Sequence, residues 1–339
     1  MFTAKFRSSG VRHDSNIFVK TALIPSITAA LCALPLASAQ LALKEVPQQS
    51  LALEKDGKLV WQFNFGKEDP KPFFHPLRTL DGHDLTWLRP DDHPWHLGLW
   101  FSWKYINGKN YWESDRTTGK SEGVTEVTHS KVTKNADSSA EVKLRISYHL
   151  PDAPEVLGEL RTLHISPPDA SGAYRIDFNH TFTAASEKVV LDRTPPQSAG
   201  GPAWGGYAGL AFRSAATMTD RVALDSNGFT HSGPIMGSGK TANWMDLSGT
   251  VDETTKTTAG VTIFEHPASF RHPTPWYLYF DGKFGAIKSG PIYAEPITLE
   301  AGKSFQLAYR VFIHPGIGGA TALNAEYQRY GGTAKPRSK

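Results

Sequence analysis

Apolar and polar residues alternate with a period of two along most of the chain. From Lys58 to Phe65, Leu59, Trp61, Phe63 and Phe65 fall on one face, just after an Asp56-Gly57 turn signal. Val142, Leu144, Ile146 and Tyr148 repeat the pattern, as do Tyr174, Ile176, Phe178, His180 and Phe182, and later Phe305, Leu307, Tyr309, Val311 and Ile313. Val124–Val132, Gly209–Arg213, Val261–Phe264 and Tyr277–Phe280 are shorter strand candidates, and Asn107-Gly108, Asn227-Gly228 and Asp281-Gly282 mark further turns. Only Ala320 to Tyr330 reads as a helix. No low-complexity linker separates the strands. The pattern predicts an all-β protein: one large antiparallel β-sandwich with a short C-terminal helix, spanning 40–339 as a single domain. A two-domain β architecture is the alternative.

The first 39 residues break this pattern. Lys5, Arg7, Arg12 and Lys20 form a basic head, Thr21 to Leu36 is largely apolar, and Ala37-Ser38-Ala39 offers a small-x-small cleavage signal before Gln40. This is the layout of a secretory signal peptide over 1–39, so a periplasmic or secreted location is expected. The apolar run is too short for a span and Pro25 and Pro35 interrupt it. Removing the leader leaves 32 basic and 32 acidic residues and takes away the only cysteine, Cys32. A near-neutral chain without a basic run makes nucleic acid an unexpected partner. A chain without cysteine has no thiol nucleophile.

The chemistry-bearing residues gather in stretches rich in His, Pro and Trp. Five histidines directly precede proline: His75, His93, His266, His272 and His314. Proline stiffens the preceding residue into extended conformations, which would present each ring from a defined direction. The densest stretch runs from Asp91 through His93-Pro94-Trp95-His96 to Phe101. If Pro94 turns the chain, both imidazoles can face one pocket, as acid or base or as metal ligands, with Glu113 supplying a carboxylate. A metal would need a third ligand that the sequence does not fix. No resident cofactor is predicted, and a divalent metal is the weaker option. A second cluster, His266 to Trp276, displays His266, Arg271, His272 and Trp276 on a proline-stiffened loop. His180 occupies the apolar face of its strand and needs a hydrogen-bond partner there. The glycine-rich run from Gly200 to Gly206 lacks the lysine ending of a phosphate cradle and suits close approach of a loop to a ligand, with Tyr207 and Arg213 nearby. Trp244 adds an indole beside Asp246.

Taken in order, Pro72-Phe73-Phe74-His75-Pro76-Leu77, His93-Pro94-Trp95-His96-Leu97-Gly98-Leu99-Trp100-Phe101, Gly206-Tyr207-Ala208-Gly209-Leu210-Ala211-Phe212-Arg213, Trp244-Met245-Asp246-Leu247-Ser248-Gly249 and Arg271-His272-Pro273-Thr274-Pro275-Trp276 resemble the bacterial DUF6807 family. The likeness runs from about residue 45 to 315. It departs at Trp95 and Leu97, where relatives often carry His and Arg. The resemblance implies a large galactose-mutarotase-like supersandwich and a small-molecule carbohydrate as partner. The residues then suggest an exported carbohydrate-active enzyme, a lyase, hydrolase or epimerase of a sugar or oxidised sugar. In that reading His93 or His96 moves a proton, with Glu113, His180 or His272 as partner. Arg213 and Arg271 hold substrate oxygens, Trp244 and Trp276 stack on the ring, and Tyr207 and His266 complete the wall. A non-catalytic sugar-binding protein is the alternative. A metal-dependent oxygenase, which the family's label "methane oxygenase PmoA" suggests, is the weaker one.

Overall fold

The alternating segments form strands where their periodicity predicts them, among them Lys58–Asn64, Ala140–His149, Tyr174–Ala184, Gly209–Arg213 and Ser304–Pro315, and the helix is Ala320–Gly331. The computed structural model describes residues 1–3, 10–15, 40–237 and 239–331. The apolar run and cleavage signal of the expected leader lie outside these residues. The chain divides into Met1–Ser38 and one large unit, Ala39–Lys339, which carries every strand described.

The unit is all-β, with two nine-stranded antiparallel sheets and a small four-stranded one. In the first sheet the order is Leu41–Val46, Ser50–Lys55, Lys58–Asn64, Phe73–Leu77, Leu99–Ser102, Gly209–Arg213, Phe284–Ser289, Trp276–Asp281 and Ile235–Met236. In the second it is Thr230–Ser232, Thr219–Asp225, Trp244–Asp252, Thr257–Glu265, Ser304–Pro315, Tyr174–Ala184, Leu157–Ile165, Ala140–His149 and Val124–Lys134. One apolar core lies between them. Phe74 and Phe101 of the first sheet meet Phe178 and Phe182 of the second, with ring centroids 5.9 and 5.3 Å apart. Burying such rings supplies the main stabilisation of a sandwich.

Three local departures from simple alternation have physical causes. Val60, expected outside, joins the core beside Trp61, because a bulge pairs Glu54 with Leu59 and Leu53 with Trp61 and leaves Val60 as the extra residue. Leu157–Ile165 is a full strand although its inward positions include Glu159 and Arg161, so charges interrupt the apolar pattern that reveals a strand. Trp244–Asp252 is also a strand, and its outer face is covered by the helix, whose Leu323, Tyr327 and Tyr330 pack on Trp244 and Phe264. A strand covered on both faces shows no alternation.

The first sheet is likewise covered on both faces near its middle. Its inner face carries Phe74, Leu99, Leu210, Phe212, Leu278 and Ile287. On its outer face Phe73 lies opposite Trp100, Trp100 opposite Ala211, Ala211 opposite Lys288 and Lys288 opposite Tyr277, one continuous cross-strand row. Trp112 and Tyr207 close over that row to make a second apolar cluster.

Because Phe74 contacts Trp61, Phe63 and Phe178 and is fully buried, Phe74→Ala should destabilise the protein by about 3–5 kcal/mol in urea unfolding. A loss below about 1 kcal/mol would mean that the sheets do not meet through this ring.

Candidate functional site

Above the outer face of the first sheet lies a cavity of about 320 Å³. Its floor is the strand pair carrying Lys288, Tyr277 and Tyr279, with Phe284 at one end. Three other segments supply its walls: His93, Trp95 and His96; Trp112 and Glu113; and Trp204 and Tyr207, with Met236 at the rim.

The histidine wall is built by two successive tight turns. The backbone N–H of His93 donates to the Pro90 carbonyl at 2.9 Å and that of His96 to the His93 carbonyl at 2.9 Å. Pro94 sits second in the latter turn, where its fixed φ is favourable. The stretch is tied off by Arg89 N–H to the His96 carbonyl at 2.8 Å and by a Leu88–Leu97 bridge. Gly98 follows with φ +78°, and a Cβ there would sit 2.7 Å from the Phe74 carbonyl oxygen, so only glycine fits. The turns stack the two imidazoles, centroids 4.7 Å apart. Nδ1 of His93 meets Asp92 at 2.9 Å, and Asp92 in turn accepts from Arg213 at 3.1 Å. Burial pulls the His93 pKa below its usual 6.5, partly offset by Asp92. Burial likewise drives His96 well below, helped by the charge of Lys288. Burial opposes ionisation of Asp92, but His93 and Arg213 hold its pKa below the usual value. An ionised carboxylate only accepts, so His93 carries its proton on Nδ1 and presents Nε2 as a lone-pair base.

The opposite wall comes from the small sheet, where the Asn107-Gly108 turn joins Tyr105–Ile106 to Lys109–Asn110. The Asn110 side chain then accepts from the backbone N–H groups of Trp112 and Glu113 at 2.9 and 3.1 Å, which aims both side chains at the cavity. Glu113 is ion-paired with Lys104 and accepts from the Tyr207 hydroxyl. Burial would raise the Glu113 pKa, but Lys104 and the two hydrogen bonds hold it below 4.5. Burial, reinforced by Glu113, pushes the Tyr207 phenol far above 10, so it stays a donor.

Lys288 is 3 % exposed and lies among three rings, with Nζ 4.4 Å from the centroid of Tyr207, 4.9 Å from Tyr277 and 5.0 Å from Trp112. Burial lowers its pKa to about 7, with Glu113 opposing. Lys71, beneath the same wall, is lowered to about 7 by burial, but it is fully engaged, donating to the carbonyls of Tyr111 and Trp112 at 2.7 and 3.2 Å and to Ser102.

Of the residues singled out in the sequence, His93, His96, Glu113 and Tyr207 line this cavity, and Arg213 stands behind it, its guanidinium 3.3 Å from the Phe284 centroid. The others lie elsewhere. His180 is enclosed between the sheets, bonded to Glu159 at 2.8 Å and stacked on Phe178 and Phe182. His272 binds Glu265 at 3.1 Å and receives the Tyr327 hydroxyl, and His266 abuts Tyr330, which places both beside the C-terminal helix. Arg271 clamps the carbonyls of Pro291, Glu295 and Pro296. Trp244 donates to Asn324 on the second sheet's outer face, and Trp276 faces the core and donates to the Ala242 carbonyl. None of these six lines the cavity: strand alternation turns His180 and Trp276 to the core and Trp244 to the helix, and the loop after Glu265 carries His266, Arg271 and His272 to other neighbours. Lys288, Trp112, Tyr277, Tyr279 and Phe284 were not singled out. Their signal was the unbroken apolar run Trp276–Phe280, which marks a strand covered on both faces, with Lys288 interrupting the strand beside it.

Among the described residues, no group of three or more His, Cys, Asp or Glu is arranged to hold a metal ion. The two cavity histidines stack face to face and Asp92 and Glu113 are each taken by a cation.

Residues 50–328 match the profile of the family described as "Family of unknown function (DUF6807)". No curated protein matches the chain. Among solved structures, a proposed aldose 1-epimerase from Escherichia coli K12 is similar at 8 % identity and TM-score 0.34, covering 82 % of this chain and 100 % of that one. A proposed mutarotase from Salmonella typhimurium is similar at 8 % identity and TM-score 0.32, covering 81 % and 94 %. A polysaccharide lyase, BACCELL_00875, is similar at 12 % identity and TM-score 0.30, covering 86 % of this chain and 34 % of its own.

Glu113→Gln removes the partner of a buried lysine. It should cost about 2–4 kcal/mol at pH 7, between the exposed and fully buried limits for a broken ion pair. Since the Glu113 pKa is depressed in the fold, its contribution is complete above the ordinary value of 4.5 and is lost as pH falls through the folded value. The gap between the denaturant curves of the two proteins should therefore narrow progressively as pH falls below 4.5, and a gap that does not change with pH in that range would contradict the assignment.

Proposed function

The chain belongs to the DUF6807 family, whose function is unknown, and we propose on the strength of its cavity that it is an exported carbohydrate-active enzyme that moves a proton on a bound sugar. The observation that carries this reading is the Asp92–His93 pair opening onto an aromatic-walled cavity. Tyr277, Tyr279, Trp112 and Trp204 offer flat apolar faces suited to the C–H faces of a pyranose, while Glu113, His93 and Lys288 supply the polar contacts that fix orientation. A volume of about 320 Å³ suits one sugar ring better than a long chain.

In this reading His93 Nε2 takes the proton. Asp92 steadies the imidazolium that forms, and Arg213 keeps Asp92 ionised and oriented. Proton transfer by a positioned group contributes about 10²–10⁴-fold. The arrangement favours epimerase or lyase chemistry over glycoside hydrolysis. A hydrolase of the two-carboxylate kind keeps one carboxylic acid protonated at neutral pH, whereas Asp92 and Glu113 are both held ionised by cations. Export rests on the leader's sequence alone.

Incubating the protein with a panel of neutral and oxidised monosaccharides and glycosides in D₂O, read by NMR and mass spectrometry, tests the reading. Deuterium incorporation, epimer formation or an eliminated product is expected, with His93→Ala reducing turnover by at least about 10²-fold at unchanged Tm. As the base is active when unprotonated and its pKa lies below 6.5, kcat/KM should fall as pH drops below 6.5, and this acid limb should be absent from any residual activity of His93→Ala. Every sugar recovered unchanged and undeuterated, but bound, would make the protein a binding module instead.

A further inference from the structure

Lys288 is the one feature of the cavity that sugar hydroxyls and a proton-moving histidine leave unexplained. A buried ammonium needs acceptors for its three N–H bonds. Lys71 and Lys104, the neighbouring lysines, have theirs in backbone carbonyls and in Glu113. Lys288 makes no hydrogen bond to any described residue, only the three ring contacts, and it lines the cavity. The remaining charges are already matched: Glu113 with Lys104, and Asp92 with Arg213. Among the groups that line the cavity, one positive charge, set among three aromatic rings, is left over.

We propose that Lys288 is the seat for a carboxylate on the substrate, so that the cavity selects an acidic sugar, of the uronate class, over its neutral counterpart. The inference rests on the sugar reading above and narrows it. One unmatched cation fits a monoanion. A phosphate ester would bring a second negative charge beside Glu113, with no cation left to meet it. Trp112, Tyr207 and Tyr277 leave Lys288 only 3 % exposed, so an ion pair formed there is screened less than one at the surface. The bound carboxylate needs Lys288 protonated. The groups facing it are Glu113, which favours that form, and Arg213 and Lys104, which oppose it; burial keeps His93 and His96 uncharged near neutrality. With the free amine titrating at about 7, binding near neutrality takes up protons and weakens as pH rises.

Titration calorimetry of the full chain with galacturonate and glucuronate, their methyl esters, the parent neutral sugars and glucose 6-phosphate tests this. At least one free uronate should bind at least tenfold more tightly than its ester and than the sugar phosphate. Runs at pH 7 in two buffers of different ionisation heat should show proton uptake, and affinity should fall several-fold between pH 7 and 8.5. Lys288→Met, which keeps the apolar stem, should bring the uronate-to-ester ratio to about one and abolish the proton uptake. Equal affinity for uronate and ester in the wild-type protein overturns the proposal and leaves the sugar reading standing, as does a ratio unchanged in Lys288→Met. Preference for the sugar phosphate replaces the carboxylate with a phosphoryl group and overturns it too. Failure of every sugar to bind removes both readings. The wild-type pH series decides the matter even if Lys288→Met does not fold.

Discussion

A charge held away from water must be matched or neutralised, and that requirement shapes the middle of this molecule more than any single contact. The outer face of the first sheet is roofed by aromatic side chains where a sandwich of this kind could have met solvent. Every ionisable group carried under that roof is therefore expensive unless another group answers it. Lys104 is answered by Glu113, Asp92 by Arg213 and His93 by Asp92. Lys71 is answered by carbonyl oxygens. Lys288 is answered only by ring faces. The cavity forms where this matching is incomplete.

The contrast with the second sheet is instructive. There Glu159 accepts from Arg161, Tyr148 and His180, all of them within the core and closed off by Phe101, Phe178 and Phe182. Burial would raise the Glu159 pKa, yet Arg161 and His180 bring it down to about 2. Asp246 likewise gathers Ser248, Thr262 and His314. These clusters contain the residue types of catalytic sites, but their carboxylates are buried and taken up by neighbouring side chains. They specify strand register and packing. The same imidazole–carboxylate chemistry becomes a candidate site at Asp92–His93 because His93 there lines an open cavity.

Local rules carried much of the reading from sequence. Alternation located the strands Tyr174–Ala184 and Ser304–Pro315, which lie side by side at the centre of the second sheet, and helix periodicity located Ala320–Gly331. Proline and histidine spacing pointed to the turns that stack His93 on His96. Alternation was silent where a strand is buried on both faces, as in Trp244–Asp252, or where charges occupy core positions, as in Leu157–Ile165. It also gave no reason to separate His272, Arg271 and Trp276 from the cavity, since a residue's chemistry says nothing about which side of its strand meets which neighbour.

Periodicity and turn signals were enough to give the all-β character, most strand segments and the short helix, and to single out His93, His96, Glu113, Tyr207 and Arg213. These follow from periodicity and turn chemistry, which act over a few residues. That residues as distant as Glu113, Tyr207 and Lys288 share one pocket, and that His180 and Trp244 do not join them, emerges only from the folded arrangement. Cross-strand pairing between segments far apart in the chain sets those neighbours, and a shift of one residue in register would have turned Lys288 into the core.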